Sequence, residues 1–343
     1  MSDILDVTVI GGGPAGLYAA FYSGLRGMTV RIIEHHDKLG GKVNLYPEKF
    51  IWDIGGVAPK PAAMIVSEMI SQGLTFNPEV NVNEKVVNII KHSDQHFEVV
   101  TETTSFYSKA VIIAVGSGII SPMKLAIEGC ERYEVNNLHY VVPSLKRFEN
   151  KRVLISGGGN AAVDWAYEIA ALARSVHILC RQDDFKGHEE MVRKLDERGV
   201  FKVMSHSISS LQATGDHIDA VIIEHCRTRE KSELLVDDVI INHGFHMECD
   251  MLDNCDIKLE RQDSFYIKGN ADSSTNVEGV YAVGDILSHA SKVQLIAGCF
   301  HDAANAANLA KKYINPEAAQ AGTVSSHNDV FKEKNEALVQ QLK

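Results

Sequence analysis

The alternation of apolar and polar stretches along the chain predicts an α/β protein. Apolar, β-branched runs at residues 7–10, 28–33 and 153–155 have the length of buried strands. The first and third runs lead into Ala-rich segments of helical character, and a longer helix is predicted over residues 293–313. Strands that alternate with helices are typical of a mainly parallel sheet covered on both faces.

Two of the strand–helix transitions carry a similar glycine-rich turn, GGGPAG at residues 11–16 and GGGNAA at residues 157–162. In such a turn the first glycine permits a tight bend, and the second lets the backbone approach a pyrophosphate. A small third residue lets the helix pack on the strand, and the helix N-terminus faces the phosphate charge. We therefore predict two dinucleotide sites, held by Gly11, Gly13 and Gly16 in the first copy and by Gly157, Gly159 and Ala162 in the second.

Glu34 closes the strand that follows the first glycine turn, about 20 residues beyond it. A carboxylate at this position accepts hydrogen bonds from a ribose 2′-OH and repels a 2′-phosphate. The alternative is a solvated glutamate at the end of a strand, without a ligand. The ribose interpretation predicts that the first dinucleotide has an unphosphorylated adenosine ribose, as FAD and NAD do.

The length of 343 residues allows about two domains of roughly 150 residues each. A net charge of −11 argues against nucleic acid and against an anionic membrane surface as partners. No apolar run approaches the ~20 residues that a membrane-spanning helix needs. The N-terminal segment has neither the basic region nor the apolar core of a signal peptide, so we expect a cytoplasmic protein.

The six cysteines are scattered along the chain, and no two of them form a CxxC pair. In a reducing compartment, cysteines with such spacing are expected to be free thiols. We therefore predict neither a structural disulfide nor a metal site. The cysteines are Cys130, Cys180, Cys226, Cys249, Cys255 and Cys299.

Five segments have a characteristic order and spacing over nearly the whole chain. They are GGGPAGLYAAFYSGLRG, LGGKVNLYPEKFIWDIGG, LHYVVPSL, GGGNAAVDWA and VYAVGDI. In this order the segments resemble the flavin-dependent ferredoxin–NADP reductases built on the thioredoxin reductase plan. The YPEKF segment that starts at Tyr46 is the most specific of the matches, because generic dinucleotide-binding proteins lack it.

The resemblance implies an α/β architecture of two Rossmann-like, three-layer dinucleotide-binding domains. An NADP-binding domain at residues 117–244 would be inserted into an FAD-binding domain formed by residues 1–116 and 245–343. The glycines at 116–118 and Gly244 would lie at the two crossings, where a hinge rotation could bring nicotinamide and flavin together. The family also implies a homodimer.

The resemblance also implies which residues contact the flavin. Tyr46 would stack on the isoalloxazine, and Asp285 would bind the ribitol–pyrophosphate region. Their alternatives are core packing for Tyr46 and a helix N-cap for Asp285. The predicted helix at 293–313 would direct its N-terminus at flavin N1/O2. The remaining contacts carried over are Glu34 to the ribose, Lys42, the Val86 backbone, Ile120, Ser326, and His327 over the open ring face.

The missing cysteines decide the expected electron acceptor. Thioredoxin reductases carry a CxxC just before the second fingerprint, where this chain has Val141, Val142, Pro143 and Ser144. Glutathione-reductase-like enzymes place their redox pair after the second strand, and residues 34–56 contain no cysteine. Because a thiol relay needs thiolates within reach of the flavin, we expect electrons to pass directly to ferredoxin or flavodoxin.

NADP is the predicted second dinucleotide, with NADH kept open as the alternative. The family pattern after the second strand of this domain resembles HRRDKFR, whereas residues 180–186 read CRQDDFK. Arg181 and Lys186 are the predicted ligands of a 2′-phosphate. Gln182 takes the place of the second arginine, and the two aspartates beside it oppose a phosphate.

Two other functions also fit a flavin site without redox cysteines. One is an NAD(P)H reductase of quinones or dyes, and the other is a non-enzymatic sensor that binds FAD and a nicotinamide. Hydride transfer needs no general acid or base, so no catalytic side chain is predicted beyond the groups that stack on the flavin.

Overall fold

The computed structural model describes residues 4–142 and 144–341, so Pro143 of the cysteine-free window lies outside the described residues. The chain divides into two compact units. The first contains residues 4–44, 50–119 and 247–341, and the second contains residues 45–49 and 120–246 except 143. The assignment of an FAD domain and an NADP domain to residues 1–116 with 245–343 and to 117–244 stays a prediction.

Helices and strands alternate through both units. The helices of the described residues are α1 (Pro14–Leu25), α2 (Ala62–Gly73), α3 (Asn160–Ile169), α4 (Glu189–Glu197), α5 (Asp250–Asn254), α6 (Ile296–Ile314) and α7 (Lys332–Gln341). The strands are β1 (Leu5–Ile10), β2 (Val30–Ile33), β3 (Phe50–Ile51), β4 (Lys60–Pro61), β5 (Glu79–Asn81), β6 (Val86–Ser93), β7 (His96–Thr101), β8 (Ser105–Ile113), β9 (Ile119–Pro122), β10 (Leu138–His139), β11 (Arg152–Ser156), β12 (Ser175–Leu179), β13 (Phe201–Val203), β14 (His206–Thr214), β15 (His217–His225), β16 (Lys231–Leu235), β17 (Asp238–Ile241), β18 (Phe245–Glu248), β19 (Arg261–Gln262), β20 (Tyr266–Lys268), β21 (Val280–Ala282) and β22 (Leu287–Ser288).

The first unit is built on a sheet with the strand order β5-β2-β1-β8-β7-β6, and β21 adds to β8. Strand β1 is parallel to both β2 and β8, and β7 is antiparallel to β8. Because the central strands are covered on both faces, consecutive apolar residues are buried toward their C-terminal ends, such as Val9, Ile32 and Ile112. On one face α1 packs against both α2 and α6.

The second unit contains a five-stranded parallel sheet with the order β10-β17-β11-β12-β13. An antiparallel sheet of β14, β15 and β16 belongs to the same unit. The apolar core beside α3 is filled by Phe148, Ile155 and Ile178. The predicted β11–α3–β12 unit therefore exists, and it carries the second glycine turn between β11 and α3.

The start of the predicted 293–313 helix is wrong by one turn, since α6 begins at Ile296. Leu295 is the N-cap of α6 and has an extended backbone, so the helix does not reach back to Val293. The Lys292 N–H donates to the His289 carbonyl at 3.1 Å, and the buried Lys292 side chain forms an ion pair with Asp302 of α6. Within residues 4–142 and 144–341, no helix combines the length and apolar character needed to cross a bilayer.

A substitution of Phe97 tests how much the apolar core of the first unit contributes to stability. Its side chain is fully buried, and truncation to alanine leaves a cavity that the surrounding strands cannot close. Phe97→Ala is expected to lower the free energy of unfolding by about 3–5 kcal/mol in urea titrations. The control Phe50→Ala, in the same unit but 60% exposed, should change it by less than about 0.5 kcal/mol. Equal effects of the two substitutions would contradict this description of the core.

Candidate functional site

The first glycine turn brings α1 against the end of β1. A Cβ atom on Gly16 would lie 1.9 Å from the Gly11 carbonyl oxygen, so no side chain fits at that position. Gly13 is the N-cap of α1 and provides no side-chain hydrogen bond to the first turn of the helix. The free N–H groups of this turn leave the helix N-terminus open to an anion, as a pyrophosphate site requires.

Glu34 is buried beside the same turn and is only 6% exposed, so it is not the solvated glutamate of the alternative interpretation. Its Oε2 accepts a hydrogen bond from Gly12 N at 2.7 Å, and its Oε1 accepts one from His36 N at 2.8 Å. Each carboxylate oxygen keeps a second lone pair, which a ribose hydroxyl can use. The Glu84 N–H donates to the Glu34 carbonyl at 3.0 Å, which brings the start of β6, where Val86 is buried, close to the end of β2.

Asp285 lies half-buried in a 3₁₀ turn, Gly284–Ile286, that follows β21. The N-cap of the next helix is Leu295, so the helix N-cap interpretation of Asp285 is wrong. Leu295 makes no side-chain cap, which leaves the first N–H groups of α6 open. We predicted that the N-terminus of this helix points at the flavin. The helix begins later in the chain than predicted.

A buried ion pair contacts this turn and was not predicted from the sequence. Lys292 is 7% exposed and Asp302 is 5% exposed, and their side chains contact each other. Oδ2 of Asp302 also accepts a hydrogen bond from Gly284 N at 3.0 Å. The sequence does contain a sign of this ion pair. Asp302 lies among the small buried residues of α6, such as Ala303 and Ala306, and charged residues are seldom buried without a partner.

The other predicted flavin contacts are spread over both units. In the first unit, Lys42 is exposed on the 3₁₀ turn Gly41–Leu45. Ser326 and His327 are exposed near the C-terminus, with Ser326 Oγ and His327 Nδ1 hydrogen bonded at 3.0 Å. Tyr46 and Ile120 are half-buried and belong to the second unit, where Tyr46 packs against the apolar cluster that contains Trp165. The flavin roles of these residues stay predictions.

The second glycine turn repeats a close contact that the first turn makes at Gly11, where a Cβ atom would lie 2.5 Å from the Ala114 carbonyl oxygen. A Cβ atom on Gly157 would lie 2.3 Å from the Asn242 carbonyl oxygen, and Ala162 is buried in the first turn of α3. Gly159 is an N-cap without a side-chain hydrogen bond, so the α3 N-terminus is open. Ser156 Oγ and His243 Nε2 are hydrogen bonded at 2.8 Å beneath the turn. Burial lowers the pKa of His243, and the charge of Arg181 lowers it further, which keeps His243 neutral at pH 7.

The predicted phosphate cations, Arg181 and Lys186, are exposed on the loop after β12. The Lys186 N–H donates to the Gly158 carbonyl at 2.7 Å, which ties this loop to the second glycine turn. The two opposing aspartates have partners of their own. Asp184 Oδ1 accepts from Phe185 N at 2.8 Å, and Asp183 accepts from Ser205 Oγ.

All six cysteines are free thiols. Burial raises the pKa of Cys249 to about 11 and that of Cys299, which lies beside Gly284, to about 12. Burial likewise raises the pKa of Cys180 and Cys255. These four thiols are therefore protonated at neutral pH and are poor nucleophiles. Within the described ranges no three His, Cys, Asp or Glu side chains form a cluster that could hold a metal ion.

The Lys292–Asp302 pair can be tested with an isosteric substitution. Asp302→Asn leaves an unpaired buried ammonium, so we expect a loss of about 3–5 kcal/mol in the free energy of unfolding and weaker FAD binding. Thermal unfolding and fluorescence titration of apoprotein with FAD measure the two effects. The control Glu260→Gln breaks the exposed pair with Lys268 and should cost less than about 1 kcal/mol. Wild-type stability of the Asp302→Asn protein would contradict the role of this ion pair.

Comparison with known proteins agrees with this arrangement. The family model described as "Pyridine nucleotide-disulphide oxidoreductase" matches residues 5–307. Ferredoxin–NADP reductase 2 of Exiguobacterium sibiricum is 51% identical over 343 residues, which cover 99% of this chain and 97% of the relative. The ferredoxin–NADP reductase of Staphylococcus saprophyticus is 51% identical over 98% of this chain and 99% of its own.

Among solved structures, the thioredoxin reductase of Lactococcus lactis in its FR conformation superposes with a TM-score of 0.70 at 25% identity. The match covers 90% of this chain and 99% of that chain. These similarities confirm the predicted α/β fold with two dinucleotide-binding domains. The chain therefore belongs to the pyridine nucleotide-disulphide oxidoreductase family and, within it, to the ferredoxin–NADP reductases.

Proposed function

We propose that this protein is an FAD-dependent oxidoreductase that passes electrons between NADPH and ferredoxin or flavodoxin. The observation that carries the proposal is the combination of full-length similarity to ferredoxin–NADP reductases with the absence of cysteine from both redox positions of related flavoenzymes. A protein with two dinucleotide sites and no thiol relay must pass electrons to a separate acceptor.

FAD fits the residues of the first unit. The N-terminus of α1, left open by Gly13, would hold the pyrophosphate, and the buried Glu34 carboxylate would accept from the adenosine ribose. Asp285 would hold the ribitol side, on a turn fixed by Asp302 through Gly284 N. When bound, FAD supplies the chemistry that links two-electron transfer from a nicotinamide to one-electron transfer to an acceptor.

The residues of the chain contribute position and charge to this chemistry. The open N-terminus of α6 would place partial positive charge where reduction adds negative charge. The second glycine turn would hold the nicotinamide pyrophosphate at the α3 N-terminus, which Gly159 leaves open. Arg181 and Lys186 are the proposed ligands of the 2′-phosphate, and Tyr46 and His327 are the proposed groups against the flavin ring.

The thiols support direct transfer to the acceptor. Cys299 lies beside the Gly284–Asp285 turn, but its raised pKa of about 12 keeps it protonated. A protonated thiol neither attacks a disulfide nor adds to a flavin. We also propose that the protein forms a homodimer, as the family resemblance implies, and that it acts in the cytoplasm.

Anaerobic stopped-flow mixing tests the proposed function. NADPH is expected to bleach the flavin faster than NADH, and added ferredoxin or flavodoxin is expected to restore the oxidised spectrum. A benzoquinone in place of ferredoxin serves as the comparison for the quinone-reductase alternative. Faster turnover with the quinone than with both proteins would contradict the proposed acceptor, and a flavin that NADPH does not reduce would favour the sensor.

A variant with all six cysteines replaced by alanine tests the absence of a thiol relay. It is expected to reduce ferredoxin with a kcat within about twofold of wild type, because no step uses sulfur. Bound FAD and circular dichroism show whether the variant is folded. A folded variant with full flavin content and no ferredoxin reduction would contradict direct transfer.

A further inference from the structure

Recognition of NADPH requires cations at the loop after β12, and this loop is one arginine short. Residues 180–186 offer Arg181 and Lys186, while Gln182 stands where the related pattern has a second arginine. A phosphate monoester carries close to two negative charges and is best held by more than one charged donor. A further cation from elsewhere in the fold would complete the site.

The hairpin that joins β15 to β16 reaches this loop. Cys226 N donates to the Ser205 carbonyl at 2.7 Å, and Ser205 N donates to the Gln182 carbonyl at 2.9 Å. Ser205 therefore links the hairpin to the residue that replaced the arginine. Through these contacts Arg227 lies at the loop, and its Nη2 is 3.3 Å from Oδ1 of Asp183, 44 residues away in sequence.

The backbone holds Arg227 in place independently of its ion pair. Nδ1 of His225 accepts from Arg227 N at 3.3 Å and from Thr228 N at 3.0 Å, which fixes the turn of the hairpin. The Arg227 and Asp183 side chains are 74% and 71% exposed, so their ion pair is weak. The guanidinium can therefore turn from Asp183 to an arriving phosphate at little energetic cost.

Arg181 is exposed at the start of the loop, two residues after the end of β12. Burial lowers the pKa of His243, and the charge of Arg181 lowers it further. His243 is hydrogen bonded to Ser156 at the end of β11, beneath the second glycine turn. Arg181 therefore stands at the start of this loop, and Arg227 pairs with Asp183 two residues further along it.

We infer that Arg227 is a specificity residue for NADPH, which contacts the adenosine 2′-phosphate together with Arg181 and Lys186 and supplies the cation that is missing at Gln182. Without nucleotide, Asp183 forms an ion pair with Arg227. With NADPH bound, the negative charge of Asp183 would lie beside the phosphate and oppose its binding. This inference rests on the proposed function, because it assigns one residue to the NADPH site. It extends that function because the β15–β16 hairpin, as well as the loop after β12, would contact the 2′-phosphate.

The chain provides a matched control on the same hairpin. Arg229 is 77% exposed, and its Nη1 pairs with Oε1 of Glu224 at 2.7 Å. Arg229→Ala therefore removes the same charge and a similar surface side chain two residues away, but not the group that pairs with Asp183. Arg227→Lys keeps the charge and loses the forked geometry of the guanidinium.

Isothermal titration of the FAD-loaded enzyme with adenosine 2′,5′-bisphosphate and with AMP measures the contribution of the 2′-phosphate without turnover. Arg227→Ala is expected to weaken binding of the bisphosphate about tenfold and to leave AMP binding unchanged. Arg229→Ala should remain within about twofold of wild type, and Arg227→Lys should lie between. Asp183→Asn should tighten bisphosphate binding. The KM for NADPH should rise in Arg227→Ala while the KM for NADH does not.

Two outcomes separate this inference from the proposed function. If wild type prefers the bisphosphate to AMP and Arg227→Ala keeps the full preference, the role of Arg227 is wrong and NADPH remains the donor. If wild type binds AMP as tightly as the bisphosphate, the assignment of NADPH itself is wrong, and the role of Arg227 with it. Circular dichroism and FAD content confirm that each variant is folded.

Discussion

The tight glycine turn between a strand and the helix that follows it is the constraint on which both dinucleotide sites depend. At Gly11 an added Cβ atom would lie 2.5 Å from the Ala114 carbonyl oxygen, just past the end of β8, and at Gly157 it would lie 2.3 Å from the Asn242 carbonyl oxygen, just past the end of β17. Only residues without side chains permit such contacts, and they bring the N-termini of α1 and α3 to the strand ends with their N–H groups unfilled. Anion binding follows from this geometry before any charged side chain is considered.

Charged side chains then fix the geometry of the first site, and these side chains are buried or come from residues far apart in the sequence. Glu34 is held by two backbone N–H groups, which fixes the carboxylate beside the first turn. Asp302 and Lys292 form a buried pair that ties α6 to Gly284 and so to the turn that carries Asp285. Removing charges from water is costly, so such a pair is weak evidence for stability by itself. Its hydrogen bond to the Gly284 backbone indicates that it fixes the turn.

Much of the fold and part of the site could be predicted from local patterns. Strand length, glycine spacing and Ala-rich helices indicated the β1–α1–β2 and β11–α3–β12 units, and the structure contains both. The start of α6 could not be predicted, because apolar residues such as Val293 and Leu295 also precede the helix, and the extended backbone of Leu295 belongs to the folded chain. The packing of Tyr46 in the second unit is likewise a tertiary contact that its sequence neighbours do not indicate.

Residue types at short spacing were enough to identify the two glycine turns, the glutamate at the end of β2 and the lack of a redox cysteine pair. Tertiary structure decided which distant charges meet. Asp302 reaches the Gly284 backbone over 18 residues, and Arg227 reaches Asp183 over 44. Such contacts depend on how helices and hairpins pack, and packing is set by the summed burial of many side chains rather than by any local pattern.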